Sequence, residues 1–214
     1  MSAFFDVLYK YTRAEFAQGM VQRGEFLIGT LHGFRRMEEH GMAIGDAGEG
    51  KKEVVDAADG HWRDITARPN LATKFISAPS QANITFSNVQ FQMNYDVSDV
   101  YVYCVSAARN DRVMQAFDAD ACVTIKRPKE FFIALDKALR LRRLVSGCMV
   151  RPCEYTERRR DVRVDADLHP AFIKTPDYAY QEEVRALWEP RQRPIQPVLI
   201  HSLRAARFLK WRAA

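Results

Sequence analysis

The sequence predicts an α+β fold, mainly antiparallel sheet with a few packed helices, and three observations carry that expectation. Short segments enriched in Val, Tyr, Ile and Thr dominate the second half, as at 100–106 and 121–126, and such side chains suit a pleated, half-buried surface. Residues 129–144 place apolar side chains at 131, 132, 135, 138, 139 and 141, with Lys137, Arg140, Arg142 and Arg143 forming a basic side. That spacing is the period of an amphipathic helix. A chain of 214 residues with 47% hydrophobic content can bury a sizeable core, so one domain over 1–214 is expected.

In chain order, residues 7–11 read as a first strand. Thr12-Arg13-Ala14-Glu15 has the form of a capping box, with Thr12 as N-cap and Glu15 reaching back, and Gly24 stops the resulting helix after Arg23. Residues 25–31 follow as a strand, and Thr30 stands where the chain turns into a short helix through Phe34, Met37 and Glu38, ending near Gly41. Residues 41–70, rich in glycine and acid, read as a long functional loop with some strand at 53–56. Residues 83–86 and 89–95 resemble a hairpin around Ser87-Asn88, and strands follow at 100–106 and 121–126. Pro128 opens the amphipathic helix, and 148–155, 161–165, 178–188 and 198–201 complete the strands. The final LRAARFLKWR fits either helix or strand.

No run of about 18 apolar residues occurs, and the opening MSAFFDVLYKYTRAEF lacks the basic-then-apolar plan of a secretory signal. A soluble, cytoplasmic protein without membrane contact is expected. Cys104, Cys122, Cys148 and Cys153 form no CxxC pair and read as reduced core thiols. The five histidines have no ligand spacing, so no metal site is expected, and GxxxxGK[ST], GxSxG, HExxH and GxGxxG are all missing. The net charge of +5 is unevenly spread: 38–64 holds eight acidic against three basic residues, and 137–163 nine basic against three acidic. From Arg185 onward seven basic residues face the single Glu189. Such polarity suits nucleic acid or another polyanion, or equally a solvated surface with no partner.

Three constellations carry candidate chemistry. The first joins Thr30 and Arg35, in GTLHGFRRME, to the GDAGEG of residues 45–50. A strand end turning into a helix beside glycines, with Arg35 as a forked donor, suits a phosphate or carboxylate, while an Arg35 pair with Glu38 or Glu49 would merely hold the loop. The second is Tyr101–Ser106, where Ser106 ends a strand and either contacts a ligand or shapes a turn. The third is Gln181, Glu183 and Arg185, which alternate along an expected strand and so share one face. That file either stabilises a developing cation or is an outward polar surface.

The motifs LYKY, FLIGTLHGFRRMEE with IGDAGEG, VYCVSAARND, CVTIKRPKEFF and KTPDYAYQEEVRALW, in this order, resemble a family of bacterial and phage-encoded proteins of similar length without a settled activity. Their order is also similar to ADP-ribosyltransferase-like domains, which carry an Arg or His on an early strand, a Ser or Tyr on a middle one and Gln/Glu-x-Glu on a late one. This resemblance implies that Glu183 binds the nicotinamide ribose of NAD and stabilises the developing charge, that Gln181 orients the acceptor, and that Ser106 shapes the pocket. The early strand departs from the pattern by offering Tyr9, Lys10 and Tyr11, so Lys10 and Arg35 become the expected NAD contacts beside Thr30 and Ser106.

Two function classes remain open at this level. One is an NAD-dependent ADP-ribosyltransferase-like enzyme that modifies nucleic acid or protein, for instance in phage–host conflict. The other is a non-catalytic nucleic-acid-binding or host-interaction protein. Its binding residues would be Arg140, Arg142, Arg143, Arg158–Arg160, Arg204, Arg207, Lys210 and Arg212, with Phe208 and Trp211 stacking on bases.

Overall fold

The computed structural model describes residues 5–37, 46–66, 70–78, 82–164 and 168–211. The first part of the chain forms β1 (Val7–Thr12), α1 (Ala14–Gln18), a π-helical turn Gly19–Arg23, β2 (Glu25–Thr30), α2 (Leu31–Met37), β3 (Lys51–Trp62), α3 (Ala72–Phe75) and β4 (Ile84–Asp96). Next come β5 (Tyr101–Ser106), α4 (Asp111–Ala116), β6 (Ala121–Lys126), α5 (Pro128–Leu141), β7 (Val145–Pro152), β8 (Glu154–Tyr155) and β9 (Arg159–Asp161). The remainder is β10 (Ile173–Lys174), β11 (Glu183–Pro190), β12 (Val198–His201), α6 (Leu203–Ala206) and β13 (Leu209–Lys210), with 3-10 turns at Pro170–Phe172 and Pro176–Gln181. The protein is therefore mixed α+β with mostly antiparallel sheet. The β3/β9 and β8/β10 pairs are parallel.

The principal sheet has the order β12-β2-β5-β1-β6-β13, and β11 joins β5 to β7. Strand β5 is its junction. Along its whole length β5 pairs with β11, while β2 (at Tyr101 and Val102) and β1 (at Ser106) also pair with it. One face carries the largest core, where Phe26, Tyr103, Val123, Ile125, Val184, Ala186 and Trp188 meet Phe131, Leu135 and Leu139 of α5. Phe131 stacks edge-on against Phe26 at 5.6 Å. The other face is covered by Leu31 and Phe172, which pack with Val102 and Leu187. Strands buried on both faces lose the apolar–polar alternation, which is why YVYCVS and the start of β11 carry few exposed positions.

Several expected elements shift. Thr12 belongs to β1, paired with Ala121, and so caps nothing; Asp120 Oδ1 instead accepts from Ala14 N at 2.6 Å. Gly24 does end the helical stretch, at φ 65°, a left-handed conformation that glycine adopts freely. The expected loop over 41–70 contains β3, which runs from 51 to 62, while residues 41–45 and 67–69 lie outside the described ones. Residues 83–95 do not fold back as a hairpin: β4 is one strand along β3, and Asn88 at φ 49° forms a bulge opposite Asp59. Pairing with a long partner strand absorbed the Ser87-Asn88 signal as an irregularity. The 148–155 strand divides into β7 and β8, the 161–165 strand is displaced to β9, and the last segment is α6 followed by β13. A helix not expected from sequence, α4, is capped by Asn110, whose side chain accepts from Arg112 N.

Candidate functional site

The expected Gln181/Glu183/Arg185 file breaks at its first member. Residues 176–181 form a 3-10 turn, and Glu182 at φ 42° redirects the chain into β11. Gln181 is therefore not on the strand, although the turn still brings it to the same cluster. Glu183 and Arg185 do share a face, and their register places them opposite Ser106 and Cys104 of β5. Tyr9 of β1 is opposite Ser106 in turn. Directly opposed residues point to the same side of a sheet, so Tyr9, Ser106 and Glu183 form one row across three strands.

On the same face, and including Glu183, lies a buried ionic cluster. Arg185 Nε donates to Glu183 Oε1 at 2.6 Å, and its Nη1 donates at 2.6 Å both to Glu49 Oε2 and to the Ala171 carbonyl. Its Nη2 completes a forked pair with Glu49. Lys174, from β10, donates to Glu183 Oε2 at 2.8 Å and to Gln181 Oε1 at 2.7 Å. Two carboxylates thus face two cations, a pairing that buried charges require. Burial works to raise the Glu183 pKa, but the Arg185 and Lys174 charges overcome it and hold the carboxyl well below the usual carboxylate range. Lys174 is lowered by burial yet raised above its ordinary value by Glu183 and Glu49. Glu183 is an anion held ready.

The elements around the cluster are pinned from several directions. Glu49 sits in the turn before β3; Arg35 Nε donates to its carbonyl at 2.5 Å, and Asp46 in the same turn is paired with Arg158. The Glu183 amide donates to the Tyr155 hydroxyl at 2.6 Å. Tyr9, Tyr155, Tyr178 and Tyr180 are half-buried. Lys174 Nζ lies 4.7 Å from the Tyr178 ring centre and the Arg112 guanidinium 4.2 Å from that of Tyr180. The environment is an ionised carboxylate among phenol rings and amides.

The other candidates fall into place around this cluster, or away from it. Ser106 is buried, and its hydroxyl proton is shared between the carbonyls of Gln181 (2.7 Å) and Ala108 (2.9 Å). Thr30 caps α2, its hydroxyl accepting from Gly33 N at 3.0 Å. Arg35 holds the loop, but not by the expected Arg–Glu pair: its ion pair is with Asp96 (2.6 Å), and it reaches only the main-chain carbonyl of Glu49, whose carboxylate goes to Arg185, while Glu38 lies outside the described residues. Lys10 needs correction as an NAD contact: it projects to the α5 side of the sheet, where Nζ lies 4.8 Å from the Tyr103 ring centre and donates to the Cys104 carbonyl. Alternation along β1 puts Tyr9, not Lys10, on the Glu183 face. Sequence reasoning named Glu49 only as a candidate partner of Arg35 and missed both its pairing with Arg185 and Lys174 altogether, because these partners are remote in sequence.

The basic residues do not form one stacking surface. Arg140 is paired with Asp136, Arg142 donates to the Leu199 carbonyl, and Arg143, Arg204 and Arg207 are exposed. Arg158 and Arg159 are paired with Asp46 and Glu53, and Arg160 donates to Thr156 and to the Val164 carbonyl. Phe208 and Trp211 pack against the main core instead of standing free for bases, and Arg212 lies outside the described residues. All four cysteines are free, and among the described residues no cluster of His, Cys, Asp and Glu could hold a metal. No helix among them is long and apolar enough to cross a membrane. Comparison of the chain with family models, curated proteins and solved structures gave no match.

Proposed function

We propose that the protein is an NAD-dependent ADP-ribosyltransferase-like enzyme whose nicotinamide-ribose site lies over the Tyr9, Ser106 and Glu183 row. The observation that supports this reading is the register of that row, with one side chain from each of three adjacent strands and an ionised carboxylate at one end. In this reaction the N-glycosidic bond of NAD would break, nicotinamide leaving with its electrons, while an acceptor nucleophile or water would form the new bond to the anomeric carbon of the ADP-ribosyl group and release its proton to solvent. The Glu183 carboxylate is placed to stabilise the positive charge that develops at the anomeric carbon. Arg185 and Lys174 keep that buried carboxylate deprotonated. Gln181, buried and anchored through its Oε1 to Lys174, fixes the turn beside Glu183 from which an acceptor would be oriented, and Tyr9 offers a ring for the nicotinamide. Arg35 contributes no phosphate contact in this reading, since its guanidinium is already bonded.

The test is nicotinamide release from NAD, followed by proton NMR, with and without RNA, DNA and cell protein as acceptors. Wild-type protein should release nicotinamide, Glu183→Gln should not, and Tyr9→Ala should fold normally and turn over at least about tenfold more slowly. Absence of release with every acceptor would eliminate the reaction. Undiminished turnover by a folded Tyr9→Ala would eliminate the site.

A further inference from the structure

On the far edge of the principal sheet lies a second surface, separate from the Glu183 row. Among the described residues, strand β12 pairs with β2 alone. Ser202 N donates to the Gly24 carbonyl, and the antiparallel register continues as Ile200 with Phe26 and Val198 with Ile28. Because such pairs alternate between bonded and non-bonded, the main-chain groups of Leu199 and His201 point outward, to the open edge. The Leu199 carbonyl there accepts from Arg142 Nη1 at 2.7 Å.

That edge borders a groove of about 660 Å³ between α5, β12 and the start of α6. Three leucines stand in its lining with large exposed fractions: Leu141 at 86%, Leu199 at 48% and Leu203 at 65%. Lys137, Arg142 and Arg204 line it as well, and no acidic side chain does. An edge guarded only against aggregation needs charge and not three exposed leucines.

We propose that this groove docks an extended, acidic and apolar segment of a partner protein, which adds to β12 as a further strand. Strand addition uses the outward main-chain groups of Leu199 and His201, and alternate apolar side chains of the segment cover the leucines. Carboxylates between them meet Arg142 and Arg204, and Arg142 exchanges the Leu199 carbonyl for a carboxylate, which frees that carbonyl for the incoming strand. A nucleic acid is a poorer occupant, because the lone His201 imidazole in the lining offers no row of rings for successive bases, whereas the outward main-chain groups of β12 match a strand. A second copy of the chain is poorer too, because it would set the same cations against each other.

The experiment uses the full chain and a short fluorescent peptide that alternates Val with Glu, read by anisotropy, with amide exchange followed by NMR. Saturable, salt-sensitive binding is expected, together with slowed exchange at Leu199 and His201. Arg204→Glu and Leu199→Glu, both at exposed positions, should each weaken binding by roughly tenfold with unchanged melting. No saturation, equal binding of a Val/Lys peptide, or unchanged affinity in both variants would overturn the proposal. So would a single-stranded oligonucleotide that displaces the peptide, or self-association of the free chain that Leu199→Glu abolishes.

Discussion

Replacing Arg185 by Met should be among the most damaging single changes in this protein. The guanidinium serves Glu49 through a forked pair, Glu183 through Nε and the Ala171 carbonyl through Nη1, and it is 2% exposed. Methionine fills similar space but leaves two buried carboxylates facing Lys174 alone. Removing one partner of a buried pair costs about 3–5 kcal/mol, because the remaining charge stays desolvated and unpaired. For a chain of 214 residues that is a fall in Tm of roughly 6–20 °C. Urea and thermal unfolding of Arg185→Met, Glu49→Gln and the double variant form a cycle. The double variant should be more stable than the sum of the single changes predicts, by at least about 1 kcal/mol, since it removes the charge that the first substitution strands. An Arg185→Met protein within about 1 kcal/mol of wild type would show that the cluster is not held as described.

Two further outcomes follow from the same physics. Gly24→Ala places a Cβ 2.7 Å from the Ser202 carbonyl carbon at a position with φ 65°, so a loss of about 1–3 kcal/mol in urea unfolding is expected; a loss below that range would mean that the β2–β12 junction yields easily. For Glu183, whose folded pKa is depressed, the contribution to stability is present above the unfolded value of about 4.3 and disappears as pH falls through the folded one. Wild-type stability should therefore drop below about pH 4 more steeply than that of Glu183→Gln, and parallel profiles would contradict the ionised assignment.

How much of this was legible in the sequence depended on whether the deciding contacts were local. Strand β6 and helix α5 were readable because β-branched enrichment, Pro128 and the apolar period act over a few residues. The placement of Glu183 and Arg185 on one face was also legible, since alternation alone dictates it. Gln181 was misplaced because Pro176 starts a tight turn that alternation cannot register, and Lys10 because a one-residue step along β1 decides the face. Only 53–56 of the strand over 51–62 was legible in KKEVVDAADGHW, since Ala58 and Trp62 pack with Phe86 and Ala72 only once β4 and α3 are in place. Lys174 carried no signal of its own, and Glu49 was legible only as a candidate partner for Arg35. Their role exists only through Arg185 and Glu183.

The position of β5 at the centre of the sheet also sets an order on assembly. Its partner β11 begins at Glu183, well downstream of Ser106, and the Glu49–Arg185 pair spans 136 residues. During synthesis, β1, β2, β5 and β6 can associate first, with one long edge of β5 unprotected and Glu49 lacking its cation. Non-local pairing of this kind is slow and exposes strand edges while the chain waits. Closure of the sheet and the forked pairing of Glu49 are then one event, delivered by a single late strand, and the row of Tyr9, Ser106 and Glu183 exists only after it. A nascent or truncated chain ending before residue 183 has no such row, so the face takes its final form only once β11 has been made.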